Sequence, residues 1–276
     1  TEIYTLSLHD ALPISCRALH EGWTHYTPTQ GIPELVDLIA EQIGERRGQP
    51  VSPAQVVVTP GAKPIMFFTL LALAQPDREV IYPDPGFHIY KSMIDFCGAK
   101  AVPLPLREEL DFRFQLDDLR PLINERTALI ILNSPHNPTG GIMEKADLEK
   151  IAQVVRETGI LVISDEIYGE LTYGDRTHIS FASLPDMWQY TITLNGFSKA
   201  FAMTGWRVGY ACGPKEILSV MLKIHQYSIL CAPRMGQVAA LEALQAGRAN
   251  DYEDVRRMRD SYDRRRRLMV DSFRKM

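Results

Sequence analysis

The residues with the clearest chemical potential lie between Asn195 and Gly209, in the segment Asn-Gly-Phe-Ser-Lys-Ala-Phe-Ala-Met-Thr-Gly-Trp-Arg-Val-Gly. Lys199 follows a short apolar run and precedes small residues, so a bound carbonyl could approach its amine closely. Ser198 and Arg207 could both hold an anion beside it, the arginine through its planar fork of donors. A lysine alone is usually a solvated surface charge, but an amine beside a phosphate-sized anion site indicates Schiff-base chemistry.

Two turns that follow strand-like segments could contact an anion and a flat ring. The turn Gly61–Lys63 comes after the apolar run Val56–Thr59 and opens a helix, where backbone N–H groups can face an anion. Phe87 follows the run Val80–Tyr82 and could stack on a ring. Taken singly, the first is more often a simple tight turn and the second is more often a core aromatic residue.

Two further loops carry side chains suited to holding a polar ring. Residues 133–140 include two prolines and a glycine, which would hold the Asn137 amide in one position. Asp165 ends an apolar strand, where a partly buried carboxylate needs a cation or a hydrogen-bond donor as its partner. A protonated pyridine nitrogen is one such partner, and Tyr168 could reach the same ligand. The alternative for Asp165 is an aspartate that caps a following helix.

The segments that must position these residues alternate between strand and helix patterns. Apolar, β-branched runs typical of strands covered on both faces occur at Val56–Thr59, Val80–Tyr82, Leu129–Leu132, Ile160–Ile163, Thr191–Leu194 and Val208–Cys212. Helical patterns occur at Ile32–Arg47, Ala62–Ala74, Ile89–Phe96, Lys145–Glu157 and Pro214–Ser228. This alternation predicts an α/β fold with an open, mostly parallel sheet, whose ligands bind beyond the carboxyl ends of the strands.

Bulk composition narrows the function classes. The 276 residues are 45% hydrophobic and 23% charged with a net charge of −4, which is typical of a globular protein and gives no basic field for nucleic acid. No apolar run reaches the roughly 20 residues that span a bilayer, so we expect no membrane partner. No G-x-G-x-x-G motif supports a dinucleotide site. The scattered cysteines predict neither a metal site nor disulfides and favour a reducing cytoplasm: they are Cys16, Cys97, Cys212 and Cys231.

Four segments together resemble the class I/II aminotransferases in order and spacing: Gly61-Ala-Lys63, Pro135-His-Asn-Pro-Thr-Gly140, Ser164-Asp-Glu-Ile-Tyr168 and Ser198-Lys-Ala-Phe-Ala-Met-Thr-Gly-Trp-Arg207. These are fold-type I pyridoxal 5'-phosphate (PLP) enzymes, and the likeness is to the branch that acts on aspartate, alanine or aromatic amino acids. The resemblance runs from about Tyr26 to Met276. It implies an aminotransferase-like large domain in which a mostly parallel central sheet is flanked by helices.

The resemblance also implies a role for each residue. Lys199 would form the Schiff base with PLP and then move the proton between the substrate Cα and the cofactor. The other roles would be Asp165 on the pyridine N–H, Asn137 and Tyr168 on the ring oxygen O3', Phe87 on the ring face, and Gly61, Ala62, Lys63, Ser198 and Arg207 on the phosphate. Tyr26 would reach the phosphate of the neighbouring subunit, so that a homodimer shares its active sites.

The implied function is transfer of an amino group between an amino acid and a 2-oxo acid. A PLP-dependent C–S lyase shares this cofactor cradle and is an alternative. Another is the aminotransferase-like effector domain of a transcription regulator. The sequence does not identify the amino acid donor or the 2-oxo acid acceptor.

Both ends of the chain depart from this pattern. Residues Tyr4–Ser15 resemble the translation of a sequencing-adapter oligonucleotide, so we expect residues 1–15 to be an artefact rather than a short amphipathic arm. We expect residues 16–48 to form an N-terminal segment and residues 49–250 the PLP-binding large domain. Residues 251–276 would begin an inter-domain helix, with the small C-terminal domain truncated. The family's arginine for the substrate α-carboxylate lies in that domain, so we expect weak PLP binding or a lysine adduct without efficient turnover.

Overall fold

The structure, a computed structural model, describes residue 14 and residues 16–276. Of the segment expected to derive from an adapter, residues 1–13 and 15 lie outside the described residues. Residues 16–20 are helical. The strands are β1 (Val56–Thr59), β2 (Glu79–Asp84), β3 (Lys100–Pro105), β4 (Thr127–Asn133), β5 (Leu161–Asp165), β6 (Thr191–Gly196) and β7 (Gly209–Cys212). The numbered helices are α1 (Pro33–Arg47), α2 (Lys63–Leu73), α3 (Ile89–Phe96), α4 (Leu116–Leu119), α5 (Lys145–Thr158), α6 (Lys215–Ser228), α7 (Arg234–Ala249) and α8 (Glu253–Phe273).

The seven strands form one mixed sheet in the order β1-β7-β6-β5-β4-β2-β3. Strands β2 to β6 run parallel, whereas β7 is antiparallel to both of its neighbours, β1 and β6. The predicted α/β fold with a mostly parallel sheet flanked by helices is therefore confirmed. Each predicted strand and helix is present; Val56–Thr59 and Ile89–Phe96 match to the residue, and the other boundaries differ by at most two residues.

Three of these numbered elements were not predicted: strand β3, the short helix α4 and helix α7. Helix α4 has only four residues, too few to show a helical period. Strand β3 lies at the sheet edge, alternates exposed and buried residues and contains Pro103 and Pro105, so it lacks the continuous apolar run of a central strand. Helix α7 buries small side chains, chiefly Ala239 and Ala240, and includes two glycines, which weaken a helical pattern in sequence.

Helices cover both faces of the sheet because successive strand residues point to opposite sides. In β1, Val57 packs in the core on the side of α2, α3 and α6, where Phe68 and Met221 are buried. Val56 and Val58 pack on the other side, against α1 and α7. A fully buried side chain of this size contributes about 1.5–3 kcal/mol through its removal from water, so these cores hold the strands in register. No helix among the described residues is both long and apolar enough to cross a membrane.

The parallel register brings polar residues together at one edge of the sheet. Asn133, the last residue of β4, pairs with Asp165, the last residue of β5, and Asp165 pairs with Leu194 of β6. The carboxyl ends of three central strands thus meet at the same edge. The loops that follow these strands include the residues predicted to do chemistry.

Two glycines let strand β7 approach the turn after β1. Gly209 pairs with Gly196 of β6 and with Thr59 of β1. A Cβ at Gly209 would lie 2.6 Å from the carbonyl carbon of Gly61 and 2.8 Å from the amide nitrogen of Ala62. Such distances are shorter than van der Waals contact, so only glycine allows this approach.

We expect Gly209→Ala to lower the free energy of unfolding by about 1–3 kcal/mol, because overpacking forces the Gly61–Lys63 turn away from β7. Urea unfolding followed by circular dichroism measures this loss. Gly205→Ala is the control, since a Cβ at Gly205 meets nothing within 4 Å. Equal unfolding midpoints for the two variants would show that the close approach is not constrained.

Candidate active site

A cavity of about 340 Å³ lies at the carboxyl edge of the sheet. Nine of the eleven residues predicted for the site line it: Ala62, Lys63, Phe87, Asn137, Asp165, Tyr168, Ser198, Lys199 and Arg207. The tenth, Gly61, lies against Arg207, and a Cβ there would overlap the guanidinium group. The eleventh, Tyr26, is 81% exposed and does not line this cavity.

Asp165 is a buried acidic residue in the wall of the cavity. Its Oδ2 accepts a hydrogen bond from the Tyr90 hydroxyl at 2.8 Å, and its Oδ1 accepts one from the backbone N–H of Ile167 at 3.3 Å. Burial raises the pKa of Tyr90 well above its ordinary value, so this hydroxyl stays protonated and donates. No helix begins after Asp165, which excludes the helix-cap alternative: a turn follows instead.

Burial also acts on Asp165 itself. Loss of solvation raises the pKa of this carboxyl from 3.8 to about 6, although the hydrogen bonds from Tyr90 and Ile167 lower it. A buried carboxylate of this kind is stabilised by a cationic partner. The protonated ring nitrogen of PLP is such a partner, so Asp165 fits that end of the cofactor.

The opposite end of the cavity suits an anion. Arg207 donates from Nη1 to the carbonyl of Thr204 at 2.9 Å, and its guanidinium lies against Gly61. Lys63 is the first residue of α2, so the helix N-terminus adds backbone N–H groups to two cationic side chains. A phosphate group fits these donors, and Asp165 is the only acidic residue among the described residues that line the cavity.

Lys199 lies in a tight turn that the hydrophobic core holds in place. Phe197 is fully buried, and its ring is 5.4 Å from that of Phe201 and 5.9 Å from that of Tyr210. The N–H groups of Phe201 and Met203 both donate to the carbonyl of Phe197. The Lys199 ammonium is 5.5 Å from the centre of the Tyr168 ring. The turn thus presents the amine at the cavity wall rather than to bulk solvent.

A second, larger cavity of about 1100 Å³ adjoins the first. The two share Asn137, Tyr168, Ser198, Lys199 and Thr204 as lining residues. The amine of Lys199 is therefore placed at the boundary between a compact cavity and a wide one. A ligand bound in the compact cavity could meet a second molecule in the wide one at this lysine.

Sequence reasoning missed two residues that organise the site. The Tyr90 hydroxyl holds Asp165, although 75 positions separate them in the sequence. The Asn133 amide donates to the carbonyl of Asp165 at 3.0 Å, and its oxygen accepts from the N–H of Asn137 at 2.9 Å. Asn133 ends a strand as Asp165 does, a pattern that could have identified it. Tyr90 has no comparable pattern.

Comparison with known proteins finds matches among the aminotransferases. The family model described as "Aminotransferase class I and II" matches residues 8–276. The chain is 39% identical to the "Probable aspartate/prephenate aminotransferase" of Aquifex aeolicus, over 94% of this chain and 66% of that protein. It is 41% identical to an aspartate aminotransferase of Pyrococcus abyssi, over 91% and 64% respectively. The chain thus spans just under two thirds of the length of these relatives.

Solved structures show the same likeness. The crystal structure of an aromatic aminotransferase from Pyrococcus horikoshii matches with a TM-score of 0.93 and 38% sequence identity. That match covers 98% of this chain and 72% of the other. An aspartate aminotransferase from Thermus thermophilus, solved with maleate, matches with a TM-score of 0.89 and 37% identity, over 95% and 68%.

We expect Asp165→Asn to stabilise the protein without cofactor at neutral pH. The pKa of Asp165 is raised from 3.8 in the unfolded chain to about 6 in the folded protein. Its contribution to the free energy of unfolding is therefore fully present below pH 3.8 and is lost as the pH rises through about 6. The variant avoids this loss, so its advantage should grow to about 3 kcal/mol between pH 4 and pH 8, at about 1.36 kcal/mol per pKa unit. Unfolding in urea across this pH range measures the difference. Asp37→Asn, an exposed carboxylate on α1, should follow the parent; an Asp165→Asn advantage independent of pH would contradict the assignment.

Proposed function

Because this chain belongs to the class I and II aminotransferase family, we propose that it moves an amino group between an amino acid and a 2-oxo acid, with PLP as cofactor. The observation that carries this proposal is the position of Lys199 at the boundary of two cavities. On one side Asp165 and Arg207 offer charges that complement the two ends of PLP. On the other side the wide cavity has room for an amino acid.

The residues around the compact cavity would divide the work of binding. Asp165 accepts the ring N–H, and Phe87 packs on the ring face. Asn137 and Tyr168 donate to O3'. Ser198, Arg207 and the Gly61-Ala62-Lys63 turn hold the phosphate, so that the ring is anchored at both ends. When bound, PLP supplies the electron sink that lets the substrate lose a proton at Cα.

Lys199 would have two tasks in this site. Lys199 is the only lysine among the described residues that lines both cavities, so its amine would hold the cofactor through the cofactor's carbonyl carbon, with loss of water. The same amine, when free, would accept the proton that leaves the substrate Cα and give it back. The ring of Tyr168 lies beside this amine, with its centre 5.5 Å away.

The substrate would be an acidic amino acid. Arg176, Arg265 and Arg266 line the wide cavity, and none of its described lining residues is acidic. The positive potential of such a wall favours a substrate with a second carboxylate. Aspartate appears in the names of the Aquifex and Pyrococcus abyssi relatives.

A homodimer with shared active sites would cover two exposed aromatic side chains. Tyr26 and Tyr227 are 81% and 89% exposed. We propose that Tyr26 reaches the phosphate in the neighbouring subunit.

The described cysteines are free thiols, which supports a reducing cytoplasm. Residues 16–48, 49–250 and 251–276 would be the N-terminal segment, the large domain and the start of an inter-domain helix.

The decisive test is borohydride reduction of the purified chain with PLP, followed by peptide mass spectrometry. We expect a phosphopyridoxyl adduct on Lys199 in the parent and in Lys63→Arg, because only the amine at the cavity boundary can reach the cofactor carbonyl. Lys199→Arg keeps the charge but removes the nucleophile, so it should form no adduct. An adduct spread over several lysines, or one that persists in Lys199→Arg, would contradict the proposed function.

The reaction is tested with the same proteins. We expect whatever amino transfer the chain performs from aspartate to 2-oxoglutarate to exceed transfer from phenylalanine, and Lys199→Arg to abolish it, since covalent and proton-transfer roles are lost together. A coupled assay for oxaloacetate and phenylpyruvate measures both. Release of pyruvate from cystathionine without amino transfer would favour a C–S lyase instead.

A further inference from the structure

Glu166 is a buried carboxylate that the proposed chemistry does not use. It follows Asp165 directly, is only 4% exposed, and lines neither of the two cavities. Both of its oxygens have partners. Oε1 accepts from the Ser164 hydroxyl at 2.8 Å, from the Ser180 hydroxyl at 2.9 Å and from the Phe181 N–H at 3.2 Å, and Oε2 is 3.0 Å from Nε2 of His178.

These contacts join two points that are twelve residues apart. Glu166 directly follows β5, and His178 lies just before the chain enters the core again. Phe181, just beyond, is 1% exposed and belongs to the core on the α5 side of the sheet. The Glu166 carboxylate therefore closes the base of the loop formed by residues 169–177. We call Glu166, His178 and Ser180 the clamp.

The loop between the clamp residues forms one wall of the wide cavity. Leu171, Thr172, Tyr173, Gly174 and Arg176 all line it. Among the described residues, 172–179 make no backbone–backbone hydrogen bond to a helix or strand, and their only local structure is a turn at residues 174 and 175. A segment without such hydrogen bonds depends on side-chain contacts for its position. The clamp supplies those contacts at the base of the loop.

The clamp also contacts the turn that carries Tyr168. The Glu166 carbonyl accepts from the N–H of Gly169 at 2.9 Å, and its own N–H donates to the carbonyl of Leu194 on β6. His178 packs directly on this turn: a Cβ at Gly169 would lie 2.8 Å from Cδ2 of His178. The imidazole thus fixes the backbone immediately after Tyr168, whose side chain reaches both cavities.

We propose that Glu166 and His178 are positioning residues that hold Tyr168 and the cavity wall 169–177 in their working places. Their effect on Tyr168 rests on the proposed function, because Tyr168 would contact O3' of the cofactor. Their effect on the cavity wall 169–177 does not depend on a cofactor. His178 acts through its Nε2–H, which donates to Glu166, while its buried Nδ1 has no partner among the described residues.

The test compares His178→Leu, which removes the donor, with His178→Gln, whose amide can supply an N–H close to the position of Nε2. Hydrogen–deuterium exchange of the chain without cofactor is followed by mass spectrometry on peptides that cover residues 169–179, in which the N–H groups of Gly169 and Leu171 are hydrogen-bonded to the carbonyls of Glu166 and Tyr168. We expect exchange of these two N–H groups to rise about tenfold in His178→Leu, as for loss of one hydrogen bond to a charged group, and to return toward the parent in His178→Gln.

A second readout uses the PLP-loaded chain. The absorbance of bound PLP changes with pH, and we expect His178→Leu to move the midpoint of that titration by about half a pH unit or more, because Tyr168 would no longer donate to O3' in the same geometry. His178→Gln should restore the parent midpoint. Rescue by the glutamine variant separates positioning from the mere presence of an imidazole.

Glu79→Gln is the matched control for stability. Glu79 is another buried carboxylate, 3% exposed, but it begins β2 at the opposite edge of the sheet and contacts Lys100, Asn124 and Arg126. We expect this variant to unfold at lower urea while its 169–179 exchange and PLP titration match the parent.

Two results would overturn the proposal. One is a His178→Leu variant that loses global stability but keeps the parent exchange at residues 169–179. The other is a PLP titration that shifts equally in His178→Leu and Glu79→Gln. If the parent forms no Lys199 adduct, the proposed function fails, whereas the exchange comparison needs no cofactor and still decides the role of the clamp.

Discussion

A carboxylate buried at the end of a central strand is the constraint on which this site depends. Asp165 loses its solvation because β4 and β6 flank it on both sides, and the hydrogen bond from Tyr90 offsets only part of that loss. A ligand that donates a proton from a cationic nitrogen would restore the balance. Binding of such a ligand to the folded state alone would also stabilise the fold, so ligand affinity and protein stability would be linked through this one group.

The anion end of the site depends on the reversal of strand β7. A purely parallel sheet would carry the chain away from β1 after Lys199. Instead the chain turns through Ala202 and Arg207, both with positive φ, and β7 then runs antiparallel between β6 and β1. That path returns Arg207 to Gly61, across the cavity from Asp165. Left-handed backbone at residues other than glycine is costly, and the packing of Phe197 against Phe201 and Tyr210 holds it.

Much of the fold and of the cofactor cavity follows from the sequence, for identifiable reasons. Central parallel strands are continuous apolar runs, so the sequence shows where each strand ends. Asp165 and Lys199 could therefore be assigned to one edge of the sheet from the sequence alone. Contacts between distant elements are different. Tyr90 meets Asp165, and His178 meets Glu166, only because helix α3 and loop 169–177 return to the end of β5, and no periodicity encodes that return. Edge strand β3 was not predicted because its prolines and its alternation of exposed and buried residues differ from the pattern of a central strand.

The two cavities are held by interactions of different kinds, and this separates two properties of the site. The compact cavity lies on strand ends fixed by sheet register and by the cores on both faces, so its geometry changes only if the sheet changes. One wall of the wide cavity is a loop fixed by side chains, and another is helix α8 with Arg265 and Arg266. Substitutions in that loop or on α8 can therefore change the shape and charge of the wide cavity while Asp165, Lys199 and Arg207 keep their places. Under the proposed function, such a division would let one cofactor site serve amino acids of different charge and size.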